Sequence, residues 1–177
     1  MSDESKPTFR VLQGGSIVTG ERRDPRGPEL KLVRLRDVPA VQLGFPIANN
    51  TLVSVGYEGL AQEALEALLA SYLPSVFVDI RVSPSFNSHR ISRARVARAL
   101  KARNVRYLHF SGLANRFVGD SLDFRQSLGR YAEWIRQSTQ LSELRSLIDR
   151  GPVLLLSGLS AHESSERSVL VDELQRR

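Results

Sequence analysis

The sequence predicts an α/β fold of three layers, with a mainly parallel sheet of about four to five strands and helices on both faces. From residue 51 onwards, short apolar or β-branched runs alternate with segments of helical periodicity, and such alternation is typical of parallel sheets. The runs are largely apolar, as expected of strands covered on both faces. The chain has 177 residues, of which 41% are hydrophobic and 25% charged, a size and composition that suit one globular domain.

Each predicted element rests on its own local pattern. Apolar residues recur at helical spacing in the predicted helices, and turn residues bound the predicted strands. Ser92 is the predicted N-cap of the second helix. The elements are, in order, a strand with a glycine-flanked turn at 51–59, a helix at 60–73, a strand at 75–81, a helix at 92–104, a strand at 105–110, a loop at 111–123, helices at 123–138 and 140–150, a strand at 153–157 and a helix at 165–177.

Residues 1–50 form a different segment, because they contain five of the eight prolines. Two short strands are compatible with residues 9–20 and 29–38, and a turn-rich stretch separates them. We therefore predict two units, an N-terminal β-like arm at 1–50 and a single α/β domain at 51–177.

Several classes of site are disfavoured by composition. The chain has no cysteine, which excludes disulfides, thiolate metal sites and a cysteine nucleophile. Its three histidines lie in different segments without a metal-ligand spacing, so we predict no metal site and no cofactor. No apolar run approaches the roughly 20 residues of a membrane helix, and the N-terminus lacks the pattern of a secretion signal. We expect a cytoplasmic protein that does not interact with membranes.

In open α/β sheets, ligands bind beyond the carboxyl ends of the strands. This rule selects groups at the ends of the four predicted strands, and we expect them to face one crevice if the first, second and fourth strands are close together. The candidate catalytic residues are Glu58, Asp79 and Ser157, and the candidate ligand- or phosphate-binding residues are Tyr57, Arg81, His109 and Arg167.

Structural interpretations of the same residues remain open. Gly56 and Gly59 are compatible with a tight strand-to-helix turn and nothing more. Asp79 and Arg81 are compatible with an ion pair, and His109 with a core histidine whose hydrogen bonds are satisfied. Arg167, near a helix N-terminus, opposes the helix dipole unless it helps to hold an anion there.

Positive charge is concentrated in one stretch of the chain. Residues 80–119 contain nine cations and no acidic residue, whereas the whole chain has a net charge of +6, so the remainder carries −3. Phosphates of a nucleic acid would relieve the repulsion within such a surface, and an acidic protein would satisfy the same charges. The stretch is equally compatible with a solvated helix face in an arginine-rich protein. Phe86, Tyr107 and Phe117 are candidates for stacking on bases. The candidate nucleic-acid-binding residues are Arg90, Arg93, Arg95, Arg98 and Lys101.

Five segments occur together in an order typical of a known family. They are "SVGYEG" (54–59), "VFVDIRVSPSF" (76–86), "VRYLHFSGL" (105–113), the helix containing "RYAEWI" and "VLLLSGLSAHESSERSVLVDEL" (153–174). From about residue 52 to 175 the chain resembles the bacterial family named domain of unknown function 488. The resemblance implies a compact three-layer α/β domain and implies little about activity.

The chain departs from the family pattern in its last strand and closing helix. Members of the family usually carry L-M-C-x-E at the end of that strand and C-H-R at the start of that helix. Here the corresponding residues are Ser157 with Gly158, and Ser165, Glu166 and Arg167. The resemblance therefore implies a site that has lost its thiols and kept an arginine. Serine needs a general base to act as a nucleophile, for which His109, His162 or Asp79 are candidates.

Three functional hypotheses follow. In the first, the protein is a binding module for nucleic acid or a nucleotide, which uses the basic stretch at 81–116 and the strand-end crevice. In the second, it is an enzyme that acts on a phosphorylated or nucleotide-like substrate, with Glu58 or Asp79 as acid or base. In the third, it is an interaction subunit that docks on an acidic partner protein.

Overall fold

The computed structural model describes residues 8–11, 51–88, 90–117, 123–158 and 166–176. The described strands are β1 (Thr8–Val11), β2 (Thr51–Gly56), β3 (Val76–Asp79), β4 (Asn87–Ser88), β5 (Ile91–Ser92), β6 (Arg106–His109) and β7 (Val153–Ser157). Five of them form one parallel sheet in the order β1-β2-β7-β3-β6, while β4 and β5 pair as a small antiparallel hairpin. The predicted parallel sheet is confirmed.

Five α-helices cover the two faces of the sheet. They are α1 (Gln62–Tyr72), α2 (Arg93–Ala102), α3 (Phe124–Arg136), α4 (Thr139–Arg150) and α5 (Glu166–Gln175). Buried residues of α1 and α2 pack with Phe77, Leu154 and Leu156 on one face, which we call the α1–α2 face. Those of α3, α4 and α5 pack with Val153 and Leu155 on the opposite α3–α5 face. The predicted three-layer fold is therefore confirmed.

The last of the described strands, β7, lies in the middle of the sheet. β7 pairs in parallel with β2, with Gly56 opposite Ser157, and in parallel with β3, with Asp79 opposite Leu156. All five side chains of β7 are buried, which explains its unbroken apolar sequence up to Ser157. The carboxyl ends of β2, β7 and β3 consequently lie side by side, as the strand-end hypothesis requires.

Local signals set several element boundaries. Ser92 caps α2 as predicted, because its side chain accepts the backbone N–H of Arg95 at 3.3 Å. Gly59 in the turn before α1 has φ +76°, a conformation that strains any residue with a Cβ, so it serves the tight turn. At the end of α1, Leu73 has the left-handed conformation that usually takes glycine, with φ 42°.

Some features differ from the sequence prediction. The loop predicted at 111–123 begins with a 3-10 helix at Ser111–Leu113, and the short β4–β5 hairpin was not predicted. Within the predicted N-terminal arm, β1 joins the sheet by pairing Thr8 with Thr51, and the strand predicted at 29–38 lies outside the described residues. In the described part of the chain, every helix is too short or too polar to cross a membrane.

Candidate functional site

The three neighbouring strand ends are linked by backbone hydrogen bonds. The N–H of Tyr57 donates to the carbonyl of Ser157 at 2.8 Å, and that of Glu58 donates to Gly158 at 3.1 Å. On the other side of β7, the N–H of Ile80 donates to Leu156 at 2.9 Å. The ladders of the sheet thus continue past the strand ends and hold the candidate residues on a rigid edge.

Asp79 and Ser157, although they end adjacent strands, project to opposite faces. Side chains alternate along a strand, and Asp79 follows the parity of Phe77, which packs on the α1–α2 face. Ser157 follows the parity of Leu155, which packs on the α3–α5 face. The alternation places the sheet between this carboxylate and this hydroxyl, so the candidate residues divide into two groups.

Asp79 is fully buried and makes four hydrogen bonds. Its Oδ1 accepts the backbone N–H and the Nε–H of Arg81, each at 3.0 Å. Its Oδ2 accepts from Nη2 of Arg81 at 2.7 Å and from the hydroxyl of Tyr107 at 2.9 Å. A carboxylate has about four lone-pair sites, so this one has its full complement of donors. To act as a base, Asp79 would have to give up one of these bonds.

Arg81 is held by the protein on every side. Besides the two bonds from its guanidinium to Asp79, through Nε and Nη2, its Nη1 donates to the carbonyl of Ser85 at 2.8 Å. Its guanidinium carbon lies 4.1 Å from the ring centroid of Tyr57 and 4.4 Å from that of Phe86. All three guanidinium nitrogens are engaged, and 7% of the residue is exposed. This geometry is that of a buried ion pair in an aromatic cage.

Tyr107 and His109, both on the edge strand β6, complete this cluster. The ring of Tyr107 stacks on Phe77 at 5.8 Å, and burial together with the charge of Asp79 raises the pKa of the Tyr107 hydroxyl well above its usual range. His109 is half-buried, and its Nε2 lies 2.8 Å from the carbonyl oxygen of Arg81. A carbonyl only accepts, so Nε2 carries the proton and His109 is anchored to the ion-pair loop.

A second group of charges lies near the start of α5. Arg167 is fully buried, and this burial lowers the pKa of its guanidinium to about 10 although the neighbouring Glu166 acts in the opposite direction. The carboxylate of Glu166 accepts the N–H of Gly158 at 3.2 Å. Burial raises the pKa of the Tyr131 hydroxyl, and the charge of Glu166 adds to this effect. Ser157 is fully buried at the end of β7.

The remaining candidates are placed as follows. Glu58 is exposed in the turn after β2, and Tyr57 is half-buried against Arg81. His89, His162 and Ser165 lie outside the described residues. Phe86, a candidate for base stacking, is 4% exposed and packs in the core. No cluster of three or more potential metal ligands occurs within the described ranges.

Eight of the nine cations of residues 80–119 are exposed, and we call these eight the basic surface. Arg81 is the ninth and is buried. Among the described residues, the eight exposed cations make one ion pair, which joins Arg95 to Glu63 at 3.3 Å. Both partners are more than half exposed. Such an exposed pair stabilises a fold by less than about 1 kcal/mol. The basic surface consists of Arg90, Arg93, Arg95, Arg98, Lys101, Arg103, Arg106 and Arg116.

One known protein family matches most of the predicted α/β domain. The family model described as domain of unknown function DUF488 matches residues 61–174. The chain belongs to the DUF488 family. No curated protein and no solved structure matches it significantly. The DUF488 match begins one residue before α1 and ends in the last turn of α5, so β2 and the "GYEG" turn lie ahead of it.

The DUF488 resemblance also locates the departures from the family pattern. Ser157, where the resemblance implies a cysteine, has a fully buried side chain at the end of the central strand. Glu166, where it implies a histidine, is 6% exposed and is bonded to Gly158. Arg167, the residue shared with the family pattern, is the largest fully buried side chain among the residues that the structure describes.

Three residues in or near the site were not among the sequence-based candidates for catalysis or ligand binding. Tyr107 was considered only for stacking, and its bond to Asp79 depends on the pairing of β6 with β3, which periodicity does not reveal. Glu166 was regarded as a lost position, although a carboxylate in the first turn of a helix favours a structural role. Trp134 is 40% exposed on α3, the helix in which Tyr131 and Ile135 are buried.

Proposed function

We propose that this DUF488 protein is a nucleic-acid-binding module that uses the basic surface. The observation that carries the proposal is the exposure of eight cations within residues 90–116, with a single weak ion pair among them in the described part of the chain. A surface with so many exposed like charges repels itself. Phosphates along a nucleic acid supply the opposite charge at regular spacing and release counterions on binding.

The position of the cations on α2 supports a role in binding. Arg93 and Arg95 lie in the first turn of α2, which contains no acidic residue. Cations at a helix N-terminus oppose the helix dipole, at a cost of about 0.3–1 kcal/mol each. Stability therefore does not explain their placement, whereas an anionic ligand would interact favourably with both the dipole and the side chains.

The enzyme hypothesis is less well supported by the geometry. Asp79 has no free lone-pair site, and Ser157 projects to the other face of the sheet, so Asp79 is poorly placed to activate Ser157. Arg81 is bound to Asp79 and Ser85, which leaves phosphate recognition to the exposed cations. An acidic partner protein fits the same charges and is distinguished by the binding experiment.

The test is fluorescence anisotropy with a labelled oligonucleotide, applied to the wild type and to two matched variants. Arg98→Glu changes the basic surface, and Arg150→Glu makes the same change of charge at the end of α4, where the arginine donates to Ser146 of its own helix. We expect Arg98→Glu to weaken binding at least tenfold and Arg150→Glu to have little effect, because only Arg98 faces the phosphates.

Equal weakening by both variants would indicate a response to net charge alone and would contradict a defined surface. Absence of binding at low salt would refute the proposal and favour an acidic protein partner. Glu58→Gln serves as a further control, because Glu58 is exposed in the strand-end turn and a binding module should retain its affinity without this carboxylate.

A further inference from the structure

The segment that follows β6, residues 111–117, is fastened to α3 by side chains of that helix. The indole Nε1 of Trp134 donates to the carbonyl of Gly112 at 3.0 Å, and the hydroxyl of Tyr131 donates to that of Leu113 at 2.8 Å. Tyr131 is fully buried, whereas Trp134 is 40% exposed. The indole ring is therefore held at its polar end while much of its apolar surface is in contact with solvent.

Two arginines and two aromatic rings meet at this junction. The guanidinium carbon of Arg116 lies 5.6 Å from the ring centroid of Trp134, and that of Arg130 lies 5.1 Å from the ring centroid of Phe117. Arg116 is bonded to Phe117 in the chain. Arg130 precedes Trp134 by four residues on α3, a spacing that separates the two Cβ atoms by about 5–6 Å. The four side chains therefore form one continuous surface, which we call the Trp134 patch.

The Trp134 patch is distinct from the cations of α2. Phe117 packs against the core of the α3–α5 face, and its carbonyl accepts the hydroxyl of Ser127 of α3 at 3.0 Å. Val96 and Leu100 of α2 pack in the core of the α1–α2 face. The two helices thus cover opposite faces of the sheet, and Arg116 is the member of the basic surface that belongs to the patch.

The residue types of the patch suit one class of ligand. An exposed indole offers a flat apolar surface on which a nucleic-acid base stacks. The planar guanidinium groups of Arg116 and Arg130, both on exposed residues, match the oxygens of a phosphate. A base joined to a phosphate supplies both complements in one small molecule. Because the ring is already held in position, it loses little freedom when a base stacks on it.

We propose that the Trp134 patch binds one purine nucleotide, whose base stacks on Trp134 and whose phosphate is bound by Arg116 and Arg130. This site goes beyond the proposed function, because it needs no cation of α2. A free nucleotide and the phosphorylated end of a nucleic-acid strand share this chemistry. The experiment therefore includes both sources.

The first measurement is a titration of the wild type with ADP, followed by the intrinsic emission of the protein. Trp134 is the only tryptophan in the chain, so this emission reports on the proposed stacking ring. We expect saturable quenching by ADP. Adenosine, which lacks the phosphates, should bind about tenfold more weakly, the loss expected for one charge-assisted hydrogen bond. Inorganic pyrophosphate lacks the base and should not quench.

Variants are compared by the anisotropy of a fluorescent ADP derivative, a measurement that does not need the tryptophan. Trp134→Leu should weaken binding roughly 5- to 150-fold, the range for loss of one stacked base. Arg116→Gln should weaken it about tenfold. Trp134→Phe keeps an aromatic ring and should bind more tightly than Trp134→Leu. Phe124→Leu is the matched control, because it removes a ring of α3 that is 49% exposed and has no cation contact among the described residues.

The source of the ligand follows from a comparison of ADP with a 5′-phosphorylated oligoadenylate in the Arg98→Glu variant, whose basic surface is weakened. Tighter binding of ADP would support a free nucleotide, and tighter binding of the oligonucleotide would support a strand end. Circular dichroism spectra check that each variant is folded.

The outcomes distinguish this inference from the proposed function. Absence of quenching at millimolar ADP, or unchanged affinity of Trp134→Leu and Arg116→Gln, would overturn the nucleotide site. If Arg98→Glu still weakened oligonucleotide binding in that case, the proposed function would stand. Quenching by ADP in a protein that binds no oligonucleotide would support the site and refute the proposed function.

Discussion

Asp79→Asn should lower the free energy of unfolding by about 3–5 kcal/mol, because it breaks a buried ion pair and leaves one charge uncompensated. The side chain of Asp79 is fully buried, and that of Arg81 is 6% exposed. The carboxylate of Asp79 accepts four hydrogen bonds. An asparagine amide has only one accepting oxygen, and its NH2 group would place a donor where Oδ2 now accepts from Arg81 and Tyr107. The guanidinium would remain buried between Tyr57 and Phe86.

The assay is urea unfolding followed by circular dichroism, with thermal unfolding as a second measure. At roughly 2–4 °C per kcal/mol for a domain of this size, the expected fall in Tm is about 6–20 °C. Tyr107→Phe is the matched control, because it removes one of the four bonds and keeps the ring. It should cost about 1.5 kcal/mol.

A loss below about 1 kcal/mol for Asp79→Asn would refute this reasoning, since a buried cation left without its partner cannot be that inexpensive. If such a folded variant also lost a chemical activity of the wild type, Asp79 would be an acid or base as the enzyme hypothesis holds.

Three further predictions concern stability. Leu73→Gly should raise the free energy of unfolding by about 0.5–1 kcal/mol in urea unfolding, because glycine accepts φ 42° without strain. Arg145→Gln should lower it by about 1–3 kcal/mol in the same assay, because Nη2 of Arg145 donates to three carbonyls at the end of α5. A hydrogen bond from Arg136 lowers the pKa of Glu173, so this carboxylate stabilises the fold above about pH 4.3 and less as pH falls through its lowered pKa. The excess stability of the wild type over Glu173→Gln, measured by thermal unfolding across pH, should therefore shrink in acid; a constant difference would contradict this assignment.

Much of the fold was predictable from local signals. The alternation of apolar runs with helical segments predicted the layers, and Ser92 and Gly151 lie near helix ends where the sequence predicts a boundary. The order of the strands was not predictable, because it depends on long-range packing that places the last strand, β7, in the centre. This order brings the ends of β2, β7 and β3 together.

The candidate site was predictable as a region but not in its chemistry. The strand-end rule selected Asp79, Arg81 and Ser157, but a strand buried on both faces has no polar alternation to show which way each side chain projects. The division of Asp79 and Ser157 between opposite faces therefore needed the structure. The bond from Tyr107 to Asp79 similarly depends on strand pairing, whereas the charge of residues 80–119 was apparent from the sequence alone.

The most direct test of the central claim is the salt dependence of nucleic-acid affinity in the wild-type protein. If about six of the eight exposed cations contact phosphates, log K should fall with log salt concentration with a slope of about −4 for a single strand and about −5 for a duplex. We predict slopes in this range, and a less negative slope for Arg98→Glu. A slope between about 0 and −1 would correspond to at most one phosphate contact and would contradict the account.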